Sequence, residues 1–96
     1  MEYSEEVYKK SRNLKIRFSL VKLRDQCNSK IEFYQYNENY LTIFDWVLLK
    51  RDFIKLLSDY DNGINLNEEL ILKIYDIKLN NNILSIKRLI KLIKIV

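Results

Sequence analysis

The sequence contains no alanine, proline or histidine, one glycine, Gly63, and one cysteine, Cys27. Without histidine, and with a single thiol, zinc sites and Cys–His nucleophile systems are all but excluded. A single glycine cannot build a glycine-rich phosphate loop or a nucleophile elbow. We therefore predict no catalytic residue, no metal site and no cofactor, and we expect the protein not to be an enzyme.

A lone cysteine cannot form a disulfide within the chain, which indicates a reducing, intracellular location in the cytoplasm or nucleus. We expect the Cys27 thiol to be partly buried. A reactive thiol would need a neighbouring Lys or Arg, because the chain has no His. No apolar run reaches the roughly 18 residues of a membrane span, so we expect no transmembrane helix.

The 96 residues give room for one domain with one modest core, and the hydrophobic fraction of 48% favours a folded chain. Most of the favoured residue types have AT-rich codons, which indicates an AT-rich genome, viral or parasitic. A short chain with this much Ile and Leu cannot easily bury all of it alone. We therefore expect a homodimer or a stable complex with a larger protein.

Charge is segregated along the chain. Residues 7–24 and 83–96 carry basic side chains and no acid, whereas residues 31–72 hold eight acidic and three basic residues. Such segregation predicts a basic surface, and basic surfaces attract phosphate. The alternative is that both basic segments are ordinary solvated faces.

The densest apolar block, Tyr40–Tyr60, permits two interpretations. In the first interpretation, residues 40–49 form a strand rich in β-branched and aromatic residues, and a helix begins near Lys50. In the other the whole block is one helix, with a core-facing stripe formed by Trp46, Leu49, Phe53, Leu56 and Tyr60. Asp61, Asn62 and Gly63 end the helix in both interpretations, because Asn and Gly tolerate the left-handed conformation.

Two earlier segments, Lys15–Arg24 and Lys30–Tyr36, favour strands through alternation and aromatic content, with residues 25–29 as the turn between them. If the first segment is a strand, the side chains of Ile16, Phe18 and Leu20 point towards the core. As a helix it would instead form one stripe from Ile16, Leu20, Leu23 and Cys27. Before it, Ser4 is suited to cap a short helix that ends near Arg12.

The last third predicts two helices. Asn67 is a suitable N-cap followed by acids, and an amphipathic helix from Ile83 to Val96 groups its lysines on one side: Lys87, Lys91 and Lys94. We thus predict one domain, residues 1–96, with an α+β fold. Residues 15–63 form a small antiparallel β-meander and a packing helix, and residues 64–96 form a helical hairpin. The alternative is an all-α bundle.

Basic residues interleave with aromatic residues in the proposed sheet, a combination that binds single-stranded nucleic acid through phosphates and stacked bases. The predicted binding residues are Lys15, Arg17, Lys22, Arg24, Lys30, Tyr34, Tyr36 and Tyr40. We expect single-stranded DNA binding in transcription or replication. The alternative is a protein-protein adaptor or inhibitor, for example a viral one, acting through the C-terminal helices. The predicted partner or dimer interface comprises Phe53, Leu57, Ile86 and Ile90.

Residues 83–96 also suit contact with an anionic membrane surface, although packing on the rest of the domain is the preferred interpretation. Residues 66–79 and 83–94 resemble, more weakly, the opening of an F-box, a module that docks on a ubiquitin-ligase adaptor. The Pro that usually follows the first Leu of that module is here Asn67.

Three segments carry a further resemblance: KIRFSLVKLR, KIEFYQY and VLLKRDFIKLLSDYDNGI, within residues 15–64. Their order resembles the positive cofactor four (p15) transcriptional coactivator family, with Phe53 at the place of the family's usual Trp. The resemblance implies a curved sheet followed by a helix, dimerisation through that helix, and single-stranded DNA binding. The family's early Gly-Lys turn is replaced by DQCNSK and its basic loop by YLTIFDW, so its nucleic-acid contacts are only partly represented.

Overall fold

The computed structural model describes residues 5–37, 40–77 and 83–94 and builds them almost entirely from helices. Helix α1 is Glu5–Tyr36, α2 is Tyr40–Asp61, α3 is Glu68–Ile77 and α4 is Ile83–Ile93. No strand occurs in these ranges. The α+β prediction with a β-meander is therefore wrong, and the all-α alternative describes the chain.

Helix α1 runs without interruption through both segments that we predicted as strands and through the turn predicted at residues 25–29. Neither glycine nor proline occurs before Gly63, so no residue breaks the helix. Two serines are accommodated within the helix by hydrogen bonds to the preceding turn. Ser19 Oγ donates to the Lys15 carbonyl at 2.9 Å, and Ser29 Oγ donates to the Asp25 carbonyl at 3.3 Å. The short helix predicted to end near Arg12 thus continues to Tyr36, while its proposed cap, Ser4, lies outside the described residues.

The core contains the inner stripe of α1 together with buried residues of α2, α3 and α4. Ile16, Leu20, Leu23 and Cys27 are fully buried, as the helix interpretation of this segment requires. The helix interpretation of Tyr40–Tyr60 is also correct, since the same core contains Trp46, Leu49, Phe53 and Leu56. Helix α1 packs on α2 and α3, and α4 packs on α2 and α3. Across the described ranges, no Cα atom of α1 lies within 8 Å of a Cα atom of α4.

Helix α2 ends in the turn that the sequence predicts at Gly63. Gly63 has a φ of 78°, and its N–H donates to the Tyr60 carbonyl at 3.1 Å. The N–H of Ile64 donates to the Asp59 carbonyl at 3.0 Å, which completes a Schellman motif. The chain can then reverse because glycine has no Cβ to oppose the left-handed conformation.

Asn67 caps α3 as predicted, since its Oδ1 accepts from the Leu70 N–H at 3.1 Å. Its own N–H donates to the carbonyl of Ile93 at 2.9 Å, so the start of α3 is fastened to the last turn of α4. The predicted break at residues 80–82 lies outside the described residues.

Candidate anion-binding groove

The charge segregation of the sequence becomes a set of ion pairs between helices. Basic residues from the two ends of the chain meet acids of its middle, over N–O distances of 2.6–3.8 Å. The pairs are Arg12–Glu68, Arg17–Asp61, Lys87–Asp45 and Lys94–Asp59. Part of the predicted basic surface is therefore neutralised by the protein itself.

The pair between α1 and α3 includes a small polar cluster. A hydrogen bond to Glu68 and the charge of that carboxylate raise the pKa of the Arg12 guanidinium. Nearby, the hydroxyl of Tyr60 donates to Asn13 Oδ1 at 2.8 Å. Burial, and then the charge of Glu68, raise the pKa of Tyr60. These contacts hold α1 against the α2–α3 turn.

The basic residues predicted to bind nucleic acid all lie on α1, but they do not share one face. Residues seven apart on a helix differ by only about 20° of rotation, whereas residues two apart differ by about 160°. Arg17 and Arg24 therefore lie on one flank, and Lys15 and Lys22 on the other. Arg17 bonds Asp61, and Arg24 bonds the adjacent Asp25 at 3.3 Å.

The remaining predicted residues lie near the C-terminal end of α1. The Nζ atom of Lys30 is 5.9 Å from the centre of the Trp46 ring, a cation–π distance. Tyr34 is half-buried and meets Phe33 edge to face at 5.2 Å, whereas Tyr36 is 89% exposed. The side chain of Tyr40 lies outside the described residues. The structure thus does not gather the predicted cations and rings into one surface.

The four residues predicted to form a partner interface lie in the core. Phe53 is fully buried, and Leu57, Ile86 and Ile90 each expose 9% or less. Their side chains therefore belong to the hydrophobic core of the chain itself. Their role at an interface stays a prediction.

A groove of about 810 Å³ between α2 and α4 gathers cations that are distant in sequence. Its apolar floor includes Leu56 and Ile90. The charged side chains along it are Arg51, Lys55, Lys87, Lys91, Lys94 and Asp52. Five cations therefore face one carboxylate.

Two cations of this groove form ion pairs with acids of the protein, and the other three are available to bind an added anion. Lys87 and Lys94 pair with Asp45 and Asp59. Within the described part of the chain, Arg51, Lys55 and Lys91 form no ion pair. Arg51 and Lys55 are one helical turn apart, so their Cβ atoms are about 6 Å apart.

The sequence pointed to one wall of this groove and missed the other. The three lysines of α4 were grouped on one side of the helix by their spacing, and the groove contains all three. Arg51 and Lys55 were not singled out, because they stand in an acidic segment. Their only signal was their position on the polar face of the helix that contains Trp46.

The other chemistry is sparse. Cys27 is fully buried, and burial raises the pKa of its thiol to about 12, with smaller opposing effects of Lys50 and Asp52. The described ranges contain no group of three or more side chains suited to hold a metal ion. No helix in these ranges combines the length and the apolar character that crossing a membrane requires.

Comparisons with family models, with curated proteins and with solved structures find no match for this chain. The resemblances noted in the sequence thus receive no support from them. The segments compared with strands of the p15-type family are helical, and the sheet that this resemblance implied is absent from the described residues.

Proposed function

We propose that the protein binds nucleic acid, without catalysing a reaction, by holding phosphates in the groove between α2 and α4. The observation that supports this most directly is that three cations of that groove, Arg51, Lys55 and Lys91, form no ion pair within the described residues. Guanidinium and ammonium groups both bind phosphate, the first as a two-pronged donor and the second as a point charge.

The spacing of the cations suits a phosphate polymer better than a single small anion. Arg51 and Lys55 follow each other along α2, while Lys87, Lys91 and Lys94 follow each other along α4. The acids Asp45 and Asp59 already pair with two of these lysines. A bound chain would therefore engage chiefly the three available cations.

None of the described residues that line the groove is aromatic, which bears on how the nucleic acid is recognised. Single-strand binders usually stack bases on exposed rings, and phosphate contacts alone position a chain without reading its sequence. We therefore propose backbone binding with little sequence preference. A preference for single strands, and a role in transcription or replication, stay predictions.

Salt dependence tests this proposal. Labelled oligothymidine and a duplex of equal length are titrated with the protein at several salt concentrations. For three phosphate contacts, the slope of log affinity against log salt should be about −2 for single strands and about −2.7 for duplex. Replacing the available cations with the triple variant Arg51→Ala, Lys55→Ala, Lys91→Ala should abolish most of that slope.

The matched control removes the same charge from α1. The triple variant Lys9→Ala, Lys15→Ala, Lys22→Ala has the same net charge as the groove variant and should keep the wild-type slope. If the α1 variant loses binding and the groove variant does not, the groove is not the site. No binding of either oligonucleotide at low salt would refute nucleic-acid binding altogether.

A further inference from the structure

The outer face of α1 carries a second apolar stripe that no other helix of the described residues covers. Leu14 is 69% exposed and Phe18 53% exposed, while Val21 is half-buried at the edge of the core. The stripe points away from the core because Ile16, Leu20 and Leu23 occupy the opposite side of the same turns. Leu14, Phe18 and Val21 are spaced by four and then three residues, the spacing of a coiled-coil seam.

This spacing assigns a heptad register to the outer face. Leu14 and Val21 take d positions, Phe18 takes an a position, and the flanking e and g positions follow. All five flanking residues that this register defines between residues 10 and 24 are basic: Lys10, Lys15, Arg17, Lys22 and Arg24. Side chains at e and g set the choice of partner in such seams through their charge.

The two flanks differ in how far the protein neutralises them. Arg17 and Arg24 pair with Asp61 and Asp25. Lys15 and Lys22 are exposed and form no ion pair within the described ranges, and Lys22 Nζ lies 5.3 Å from the centre of the Phe18 ring. The stripe therefore has an apolar centre and one flank of unopposed positive charge.

We propose that this outer seam of α1 docks an amphipathic helix of another protein, with acidic residues flanking its apolar stripe. A second copy of this chain would bring basic flanks against basic flanks, which disfavours pairing. A membrane surface is bound by a broad apolar face, whereas this stripe is narrow. Phosphate alone gives no reason for Leu14 and Phe18 to be exposed.

Designed peptides supply the test, because their flanks can be chosen. The probe is a three-heptad peptide with Leu at a and d and Glu at e and g, whose like charges keep it from pairing with itself. One control peptide has Lys at e and g, and another keeps Glu there but has Ser at a and d. Calorimetric titration of the whole protein should detect binding of the first peptide and of neither control.

Variants then locate the site. Phe18→Glu should weaken binding of the acidic peptide by about tenfold or more, since it removes the central apolar anchor. Phe33→Glu makes the same change at another exposed position of α1, outside the seam, and should leave affinity unchanged. The double variant Lys15→Glu, Lys22→Glu should lose the acidic peptide and gain the basic one. Circular dichroism shows that each variant is folded.

Four outcomes would overturn the proposal. Failure of the acidic peptide to bind at 100 μM would do so, as would equal binding of the Ser-containing peptide, which would mean charge attraction alone. Sedimentation that shows a wild-type dimer, dissociated by Phe18→Glu, would assign the seam to a second copy. Binding to phosphatidylserine vesicles that Phe18→Glu abolishes would assign it to a membrane surface.

Discussion

The two faces of α1 are similar in sequence and opposite in environment. On the inner face Ile16, Leu20 and Leu23 expose none of their surface, whereas on the outer face Leu14 and Phe18 expose more than half. Both faces place apolar side chains three or four residues apart. Apolar periodicity therefore predicts that a stripe exists, but whether another helix covers it depends on the rest of the fold.

The comparison also explains why residues 15–24 were expected to form a strand. Ile16 and Leu20 belong to the inner stripe and Phe18 to the outer one. Read in order, the three alternate with Lys15, Arg17 and Ser19, which is the period-two pattern of a strand. A helix with apolar residues on both faces thus imitates a strand over one or two turns.

The largest difference between a buried face and an exposed face should come from the same substitution, Phe to Ala, on each of the two faces of α2. Phe53 of α2 is fully buried in the same core as the inner stripe, and Phe44 of the same helix is 63% exposed. Phe53→Ala should lower the free energy of unfolding by about 3–5 kcal/mol. Phe44→Ala should change it by about 0.5 kcal/mol or less. Urea unfolding followed by circular dichroism measures both, and equal losses would mean that the faces of α2 are misassigned.

Within α1 itself, two leucines separate the faces. Leu20→Ala leaves a cavity in the core and should cost about 2–5 kcal/mol. Leu14→Ala removes an exposed side chain and introduces the best helix former, so its cost should be about 0.5 kcal/mol or less. The same unfolding experiment decides, and a large loss for Leu14→Ala would show that the outer stripe is covered in solution.

The buried thiol of Cys27, on the inner face of α1, should make the free energy of unfolding depend on pH. Well below pH 9 the Cys27 thiol is protonated in both states. Between its ordinary pKa of 9.0 and the native value of about 12, the unfolded chain releases the proton and the native protein keeps it. Stability should therefore fall with rising pH, at most by about 1.4 kcal/mol per unit from this group.

Cys27→Ala is the control for that slope, because Tyr and Lys side chains also titrate at alkaline pH. Because Cys27→Ala also removes a buried side chain, the wild-type and variant stability curves should be offset at every pH. That offset should be constant well below pH 9 and should shrink as the pH rises past 9. In the Cys27→Ala background, Leu14→Cys should react with a thiol reagent much faster than Cys27 does in the wild type, since position 14 is exposed, Cys27 is buried, and thiolate is the reactive form. Similar rates would contradict the burial of Cys27.

The predictions that the structure confirms depend on short-range features of the sequence. The Gly63 turn, the Asn67 cap and the stripe of Trp46, Leu49 and Phe53 each depend on residues within a few turns of one another. The groove depends instead on Lys91 meeting Arg51 and Lys55, which are about forty residues away in the chain. Charge segregation is visible in the sequence. The sequence alone does not show whether the basic segments form a phosphate-binding surface or pair with acids on other helices.

The extensive contact between α1 and α2 has a consequence for the rate of folding. These helices are neighbours in sequence and, among the described helices, they pack together most extensively along their lengths. Proteins dominated by such local contacts fold in microseconds to milliseconds, because little loop entropy is lost before contacts form. Helix α4 must close a longer loop to reach α2. We therefore expect the α1–α2 pair to be well formed in the transition state, while the second wall of the groove arrives later.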